Sequence, residues 1–347
     1  MPVPLKLLFV STSLLKRLDA GLHGAASLFA RALPRPAVAG PEKTLIVRPG
    51  GLGDLVCADI ALQELGLDGR DFDWLIETRS QPWAEYRGLP HWCYDARTAQ
   101  VLGGIRGAYA RVINTEQLFG LAQSTALLAR ARGGRLFCFE TNRGARQADI
   151  AVPYDWKDRH ETIEFARLFA AALGRPAPKL ERTARERVLP PTQKPIVVIA
   201  GQQSASRRLG IDGWVAAISQ WHKGRAFFIA ATPQDAAFAD QLVQRFDRLA
   251  GRFGGAFPEL CGEISRSVEM LTMDGGAVHI ASWFGVPTLA LFTSGRDRKW
   301  SPLGAGSRVW RRLDLPCQPC TKFGQVPPCP FNYACLDLRE TKPGPPL

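Results

Sequence analysis

The stretch "LIVRPGGLGDLVCADIALQEL", residues 45–65, sets three glycines (Gly50, Gly51, Gly53) and Asp54 between an apolar run and a run of helical character. A strand, a glycine turn and a helix in that order begin a parallel α/β layer. A dinucleotide loop needs G-x-G-x-x-G. Gly51 and Gly53 supply the first two glycines, but Val56 stands where the third belongs. A phosphate loop needs G-K-[ST], and none follows. What remains is a tight turn that delivers Asp54 to the first turn of a helix. A carboxylate there can cap free backbone N–H groups. At the carboxyl end of a strand, facing a cleft, it is equally suited to be a general base. The residues alone leave both roles open.

Outward from this stretch the same alternation continues. "TLIVR", "DWLIET", "ARVINT" and "RLFCFE" read as strands, and "LVCADIALQEL", "LAQSTALLARA" and "ETIEFARLFAAALG" as helices. Proline and charge in residues 175–195 interrupt it, after which strands and helices resume from "IVVIAG". The predicted organisation is an appendage over 1–40, an α/β domain over 41–175, a linker over 176–195, a second α/β domain over 196–315 and a cysteine-rich tail over 316–347. A crevice between two such domains, at the carboxyl ends of the strands, is the expected ligand site.

The 347 residues are 46% hydrophobic and 22% charged, a globular composition. No apolar run reaches the roughly 18–20 residues that span a bilayer. The formal net charge of +12 points to an anionic partner. No zinc-finger spacing or basic stripe with interleaved aromatics occurs, so nucleic acid is not the expected partner. No clean secretory signal is present, and the predicted compartment is cytoplasmic. In "LLKRLDAGLHGAASLFARAL", Leu14, Leu15, Leu18, Leu22, Leu28 and Phe29 recur at near-helical spacing, with Lys16, Arg17 and Arg31 elsewhere. Such a helix either docks on the body or on another subunit, or lies on an anionic membrane surface.

A second turn carries chemistry. In "LTMDGGAVHIASWFGVPTLALFTSGRDRKWSPLG", residues 271–304, a strand ends at Asp274 and a helix starts at once after Gly275 and Gly276. Bare N–H groups at a helix N-terminus suit a pyrophosphate. His279 lies at the start of that helix, either as a site residue or as a packing histidine. The following "FTSGRDRKW" carries Arg296, Asp297, Arg298 and Lys299, which by themselves read as a solvated charge run.

Together the two motifs resemble glycosyltransferase family 9, the ADP-heptose:lipopolysaccharide heptosyltransferases. "RPGGLGDLVCADIAL" follows the family's R-x-[GS]-[AS]-[LM]-G-D and helix. "DGGAVHIASWFGVPTLALFTSGRDRKWSPLG" tracks its D-[ST]-G-x-x-H-x-A-x-x-x-G-x-P signature and the strand and W-x-P-x-G after it. Gly275 departs from the usual Ser or Thr, and Thr293 replaces a glycine. The resemblance covers roughly residues 43–340 and implies an α/β GT-B fold, two Rossmann-like domains with parallel sheets facing across a cleft. It implies inverting transfer from ADP-heptose to an inner-core lipopolysaccharide hydroxyl, with Asp54 as the base. Asp274, Gly275, Gly276, Ala277 and His279 would form the donor diphosphate loop. Arg207, seven before Trp214, would neutralise the diphosphate with Arg208 beside it, although Leu209 stands where the family's first Trp is found. Asp235 would meet the adenosine ribose. Gly51 and Gly53 would leave room for the acceptor. The alternatives are a protein acceptor, as in relatives that glycosylate autotransporters, and a non-catalytic sugar- or nucleotide-binding protein of the same fold. An anionic glycolipid acceptor would bring the chain to the periphery of the inner membrane. Arginines and helix amides can hold the developing charge of the leaving group. No D-x-D motif in a metal-binding context occurs, so the chemistry is expected to need no cofactor and no Mg²⁺.

Four of the eight cysteines, Cys317, Cys320, Cys329 and Cys335, form C-x2-C-x8-C-x5-C. C-x2-C sets two thiolates on one turn, as tetrahedral Zn or Fe sites require. Some members of the resembled family bind iron through a similar tail. A structural metal, free thiols and disulfides are the three readings, and a homo-oligomer contact at the tail fits the first. Cys57, Cys93, Cys138 and Cys261 are scattered and read as small buried hydrophobes.

Overall fold

The computed structural model describes residues 12–34, 36, 42–179, 184–192, 194–200, 204–312, 314–322, 326–338 and 341–347. They build two six-stranded sheets in which every neighbouring pair is parallel. The first half runs α1 (Thr12–Ala32), β1 (Thr44–Arg48), α2 (Leu52–Glu64), β2 (Asp73–Ile76), α3 (Gln81–Arg87), β3 (His91–Cys93), α4 (Thr98–Ile105), β4 (Tyr109–Asn114), α5 (Gly120–Ala129), β5 (Arg130–Phe139), β6 (Ile150–Val152) and α6 (Glu161–Leu173). The second runs β7 (Ile196–Ile199), α7 (Ile211–His222), β8 (Phe227–Ala231), α8 (Ala236–Phe246), β9 (Ala250–Arg252), α9 (Phe257–Arg266), β10 (Met270–Met273), α10 (Gly276–Trp283), β11 (Thr288–Leu291), α11 (Asp297–Trp300) and β12 (Arg308–Trp310).

The sheet orders are β3-β2-β1-β4-β5-β6 and β12-β11-β10-β7-β8-β9, which is one winding used twice. β1, β7, β10 and β11 are buried along their whole length, as strands covered by helices on both faces must be. In each half the winding reverses beside the first strand, between β1 and β4 and between β7 and β10. A crevice opens at such a reversal, beyond the carboxyl ends of the strands. The turns after β1 and β10 stand there, and they are the two glycine turns of the sequence. This is the expected α/β GT-B arrangement.

The halves share one core. Ile46, Val56 and Ile60 from the first and Ile196, Ile280 and Trp283 from the second belong to a single buried cluster. The Trp83 ring stands edge-on to Trp283 at 5.4 Å between centroids. The Arg87 guanidinium lies over the other ring, 4.3 Å from the Trp283 centroid. The segment read as a linker is strapped along this seam. Arg185 donates its backbone N–H to Leu303 O (2.7 Å) and its side chain to Ser282 O (3.1 Å) and Gln63 Oε1 (2.8 Å).

Helix α1 docks on the body, but among the described residues its large apolar side chains Leu22, Leu28 and Phe29 take no part in the docking. Leu22, Leu28 and Phe29 are exposed, whereas Asp19, Ser27 and Ala30 are buried. The reason is a set of polar contacts with α5 that fixes the rotation of the helix. Asp19 accepts the N–H groups of Gly120 (2.9 Å) and Leu121 (2.8 Å). Ser27 and Ser124 hydroxyls lie 2.8 Å apart, and His23 Nδ1 is 3.0 Å from Ser124 Oγ. The side chains of Leu14, Leu15 and Leu18 lie outside the described residues.

Candidate active site

Asp54 occupies the first turn of α2 and reaches back along the glycine turn, where its Oδ2 accepts the Gly51 N–H at 3.1 Å. The capping role is therefore real. The residue is half-buried, and desolvation of its carboxyl group raises its proton affinity. Arg48 opposes that shift and Glu161 adds to it. Arg48, which is buried, donates to Thr115 O (3.0 Å), Pro49 O (2.7 Å) and Glu116 Oε2 (3.4 Å). Among the described residues its Nε has no hydrogen-bond partner. Gly50 (φ +154°) lets the guanidinium fold beneath the turn, since a Cβ there would stand 2.6 Å from Arg48 Nη2.

The loop expected to hold a diphosphate faces this turn directly. Gly275 caps α10 with no side-chain hydrogen bond, so the first amides of α10 have no side-chain cap. Asp274, at the carboxyl end of β10, accepts Arg207 Nη2 at 3.1 Å. Burial raises the proton affinity of Asp274, and Arg207 offsets it. Gly276 and Ala277 open α10 against the start of α2: a Cβ on Gly276 would meet Leu52 Cδ2 at 3.0 Å. The space expected beside Gly53 for an acceptor is occupied. A Cβ there would lie 2.8 Å from His279 Cδ2 and 3.3 Å from Gly276 Cα, so Gly53 makes room for α10. Gly51 faces the Asp54 carboxylate instead. His279 itself packs: its Nδ1 shares a hydrogen bond with Cys57 Sγ at 3.2 Å, and its ring stands edge-on to Trp300. Burial first, then Arg207, hold its pKa down at about 4.

A third group of residues, missed in the sequence, ties the halves together beside Asp54. Lys299 is buried, not solvated, and its Nζ lies 2.7 Å from Glu161 Oε2 at the start of α6. It also donates to Asp155 O (2.9 Å) and Arg159 O (3.3 Å). Glu161 accepts Tyr154 Oη at 2.8 Å and Gln117 Nε2 at 2.5 Å. His160 Nδ1 accepts the Thr162 N–H, so its Nε2–H is the donor to Ser301 O at 2.9 Å. Arg48 was quoted within the first motif, but nothing in "TLIVR" marks it as buried and beside Asp54. The charges of "GRDRKW" read as surface, because sequence does not show that Lys299 meets Glu161.

The remaining expected residues divide. Arg208 is exposed at the edge of the site. Asp235 is buried at the carboxyl end of β8 and accepts Thr232 Oγ1 at 2.8 Å. Thr293, in place of the family's glycine, donates to Ser206 O at 2.5 Å, and Ser294 Oγ donates to Ser206 Oγ at 3.0 Å. These bonds hold the segment that carries Arg207. The tail braces the same loop through Gln318 Nε2 to Thr293 O (2.6 Å) and Thr321 Oγ1 to Ser294 O (2.6 Å). Cys317, Cys320, Cys329 and Cys335 are free thiols, and burial and the other three raise the Cys335 pKa to about 11. Neighbours though they are, among the described residues no group of three or more His, Cys, Asp or Glu side chains is placed to hold a metal ion. Cys329 Sγ accepts the Tyr333 N–H at 3.2 Å. Cys57, Cys138 and Cys261 are buried and Cys93 is half-buried.

Comparison with known proteins follows the fold. The model of Glycosyltransferase family 9 (heptosyltransferase) matches residues 106–329. No curated protein sequence matches. Among solved structures, E. coli heptosyltransferase WaaC with ADP is similar at a TM-score of 0.59 and 15% identity, over 76% of this chain and 91% of that one. E. coli ADP-heptose lps heptosyltransferase II gives 0.58 and 14%, over 79% and 91%. A glycosyl transferase family 9 protein from Veillonella parvula gives 0.61 and 14%, over 83% and 95%. At such identities the likeness to these structures is one of fold. No described helix is long and apolar enough to cross a membrane.

Proposed function

Because the chain belongs to glycosyltransferase family 9, the heptosyltransferases, we propose that it moves a heptose from ADP-heptose to an inner-core lipopolysaccharide hydroxyl with inversion. The acceptor oxygen attacks C1 of the heptose as the bond from C1 to the β-phosphate oxygen breaks. Asp54 takes the hydroxyl proton, and ADP leaves with the bonding electrons. The amides of Gly276 and Ala277 and the guanidinium of Arg207 meet the charge that grows on the diphosphate. Arg208 adds positive field at the rim. Asp235 would serve the ribose if its bond to Thr232 opens. The +12 balance suits an anionic glycolipid acceptor.

One observation carries this reading. The N-terminus of α2, with its half-buried carboxylate of raised proton affinity, abuts the N-terminus of α10, whose amides lack a side-chain cap. A base and an anion site thus meet where the two sheets reverse. Release of ADP from ADP-heptose, with a heptose-deficient core acceptor, tests it. Asp54→Asn should bind ADP and turn over at least a hundredfold more slowly, on the order of one general base. Equal rates would remove Asp54 from the reaction. Bound ADP with no release by the unsubstituted chain would make the protein a binding module.

A further inference from the structure

Helix α1 is turned the wrong way for a helix held by apolar burial. Leu22, Leu28 and Phe29 are 54%, 70% and 65% exposed, while Asp19 is 2% exposed. Asp19, His23 and Ser27 spend their polar atoms on α5, and those bonds set the rotation that leaves the apolar residues outside. Two further leucines, Leu15 and Leu18, stand seven and four places before Leu22 in the sequence.

The described charges of the helix are divided in the same way. Its sequence holds Lys16, Arg17 and Arg31 as cations and Asp19 as its one acid. Asp19 is turned inward, so the outer face keeps no acidic group, and Arg31 stands exposed beside the apolar residues. A second copy docking through the same face would offer Arg31 no acidic side chain of α1. An anionic surface would neutralise that cation, and its acyl boundary would cover the apolar side chains.

We infer that this face of α1 docks on an anionic lipid bilayer, with Leu22, Leu28 and Phe29 in the boundary between headgroups and acyl chains and Arg31 among the lipid phosphates. The inference does not rest on the reaction proposed above, because it concerns none of the residues given a part in it and needs no substrate. Flotation of the full chain tests it, with vesicles of phosphatidylglycerol and phosphatidylethanolamine against vesicles of phosphatidylcholine alone. The unsubstituted chain should float with the anionic vesicles and stay behind with the neutral ones. The triple variant Leu22→Gln, Leu28→Gln, Phe29→Gln should bind roughly tenfold or more weakly, since the apolar contact is what it removes. These residues touch water, so its unfolding temperature should not fall, and that measurement separates lost binding from lost folding. Failure of the unsubstituted chain to float, or equal flotation by the triple variant, overturns the inference. So does a dimer in sedimentation equilibrium that the triple variant breaks without any vesicle binding, which would give the face to a second copy.

Discussion

Asp54 has two tasks on one carboxylate, and substitution can separate them. Asparagine at position 54 keeps an oxygen for the Gly51 N–H and loses the base. It should cost about two to four orders of magnitude in turnover and little stability. Alanine removes the cap as well, and thermal unfolding should register a further loss of about 1 kcal/mol. Since burial raises the Asp54 proton affinity, the acid limb of kcat/KM should lie above the ordinary carboxylate range. His279 makes a separate pH prediction. Its pKa falls from the usual 6.5 to about 4 on folding. The folded chain therefore refuses a proton that the unfolded chain accepts. This stability is fully present above about pH 6.5 and is lost as pH falls towards 4, about 3 kcal/mol in all. In urea unfolding, His279→Asn should shrink the gap in stability between neutral pH and the acid end of that range. An unchanged gap would mean that the imidazole titrates in the fold as it does in water. At this scale the positions of Asp54, Asp274 and Arg207 could be read from the sequence, because each sits at a strand end or a fixed offset within a motif. Those of Lys299 and Glu161 could not, since each is an ordinary charge until the other is placed beside it.

Elements were legible in proportion to their apolar content. β1, β7, β10 and β11 are mostly apolar, and the central strands of both sheets were read correctly. The edge strands β3, β6, β9 and β12 have three residues each, too few for any period to show. The helix α1 was readable as a helix and not as to which side it docks, because two bonds from Asp19 outweigh the pull of its leucines. Asp19 acts as a cap supplied from another element: α5 starts at Gly120, and its own N-cap, Phe119, offers no side-chain acceptor. Arg143 Nη1 completes the carboxylate's contacts at 2.9 Å. Asp19→Ala should cost about 1–2 kcal/mol, the range for losing a helix cap. Hydrogen exchange should quicken in the first turn of α5 and along α1 and stay unchanged in α10. Equal protection throughout would mean that the docking rests on something other than this carboxylate.

The two halves form one body because charge as well as apolar surface crosses between them. Lys299, from the second half, lies inside the first, held by Glu161 and two backbone carbonyls, with its ammonium 4.3 Å from the centroid of the Tyr154 ring. A buried pair of this kind adds little net stability over an apolar substitute, but removing one partner strands the other. Lys299→Met should therefore lose about 3–5 kcal/mol, since Glu161 would then keep a charge with, among the described residues, only Tyr154 and Gln117 as donors. Adding Glu161→Gln to it should restore a large part, because the amide needs no counter-charge. The recovery in the double variant, read by chemical denaturation, separates charge pairing from simple loss of packing, which a second substitution could only worsen. The pair also bears on the site, since the Glu161 charge raises the proton affinity of Asp54. With Lys299 gone and Glu161 ionised, Asp54 should hold its proton more firmly and the acid limb of the activity profile should move up. In the double variant it should move back below that of Lys299→Met. A stability loss without movement of the limb would confine the pair to holding the halves together, and movement of both would join the seam between the sheets to the base at its edge.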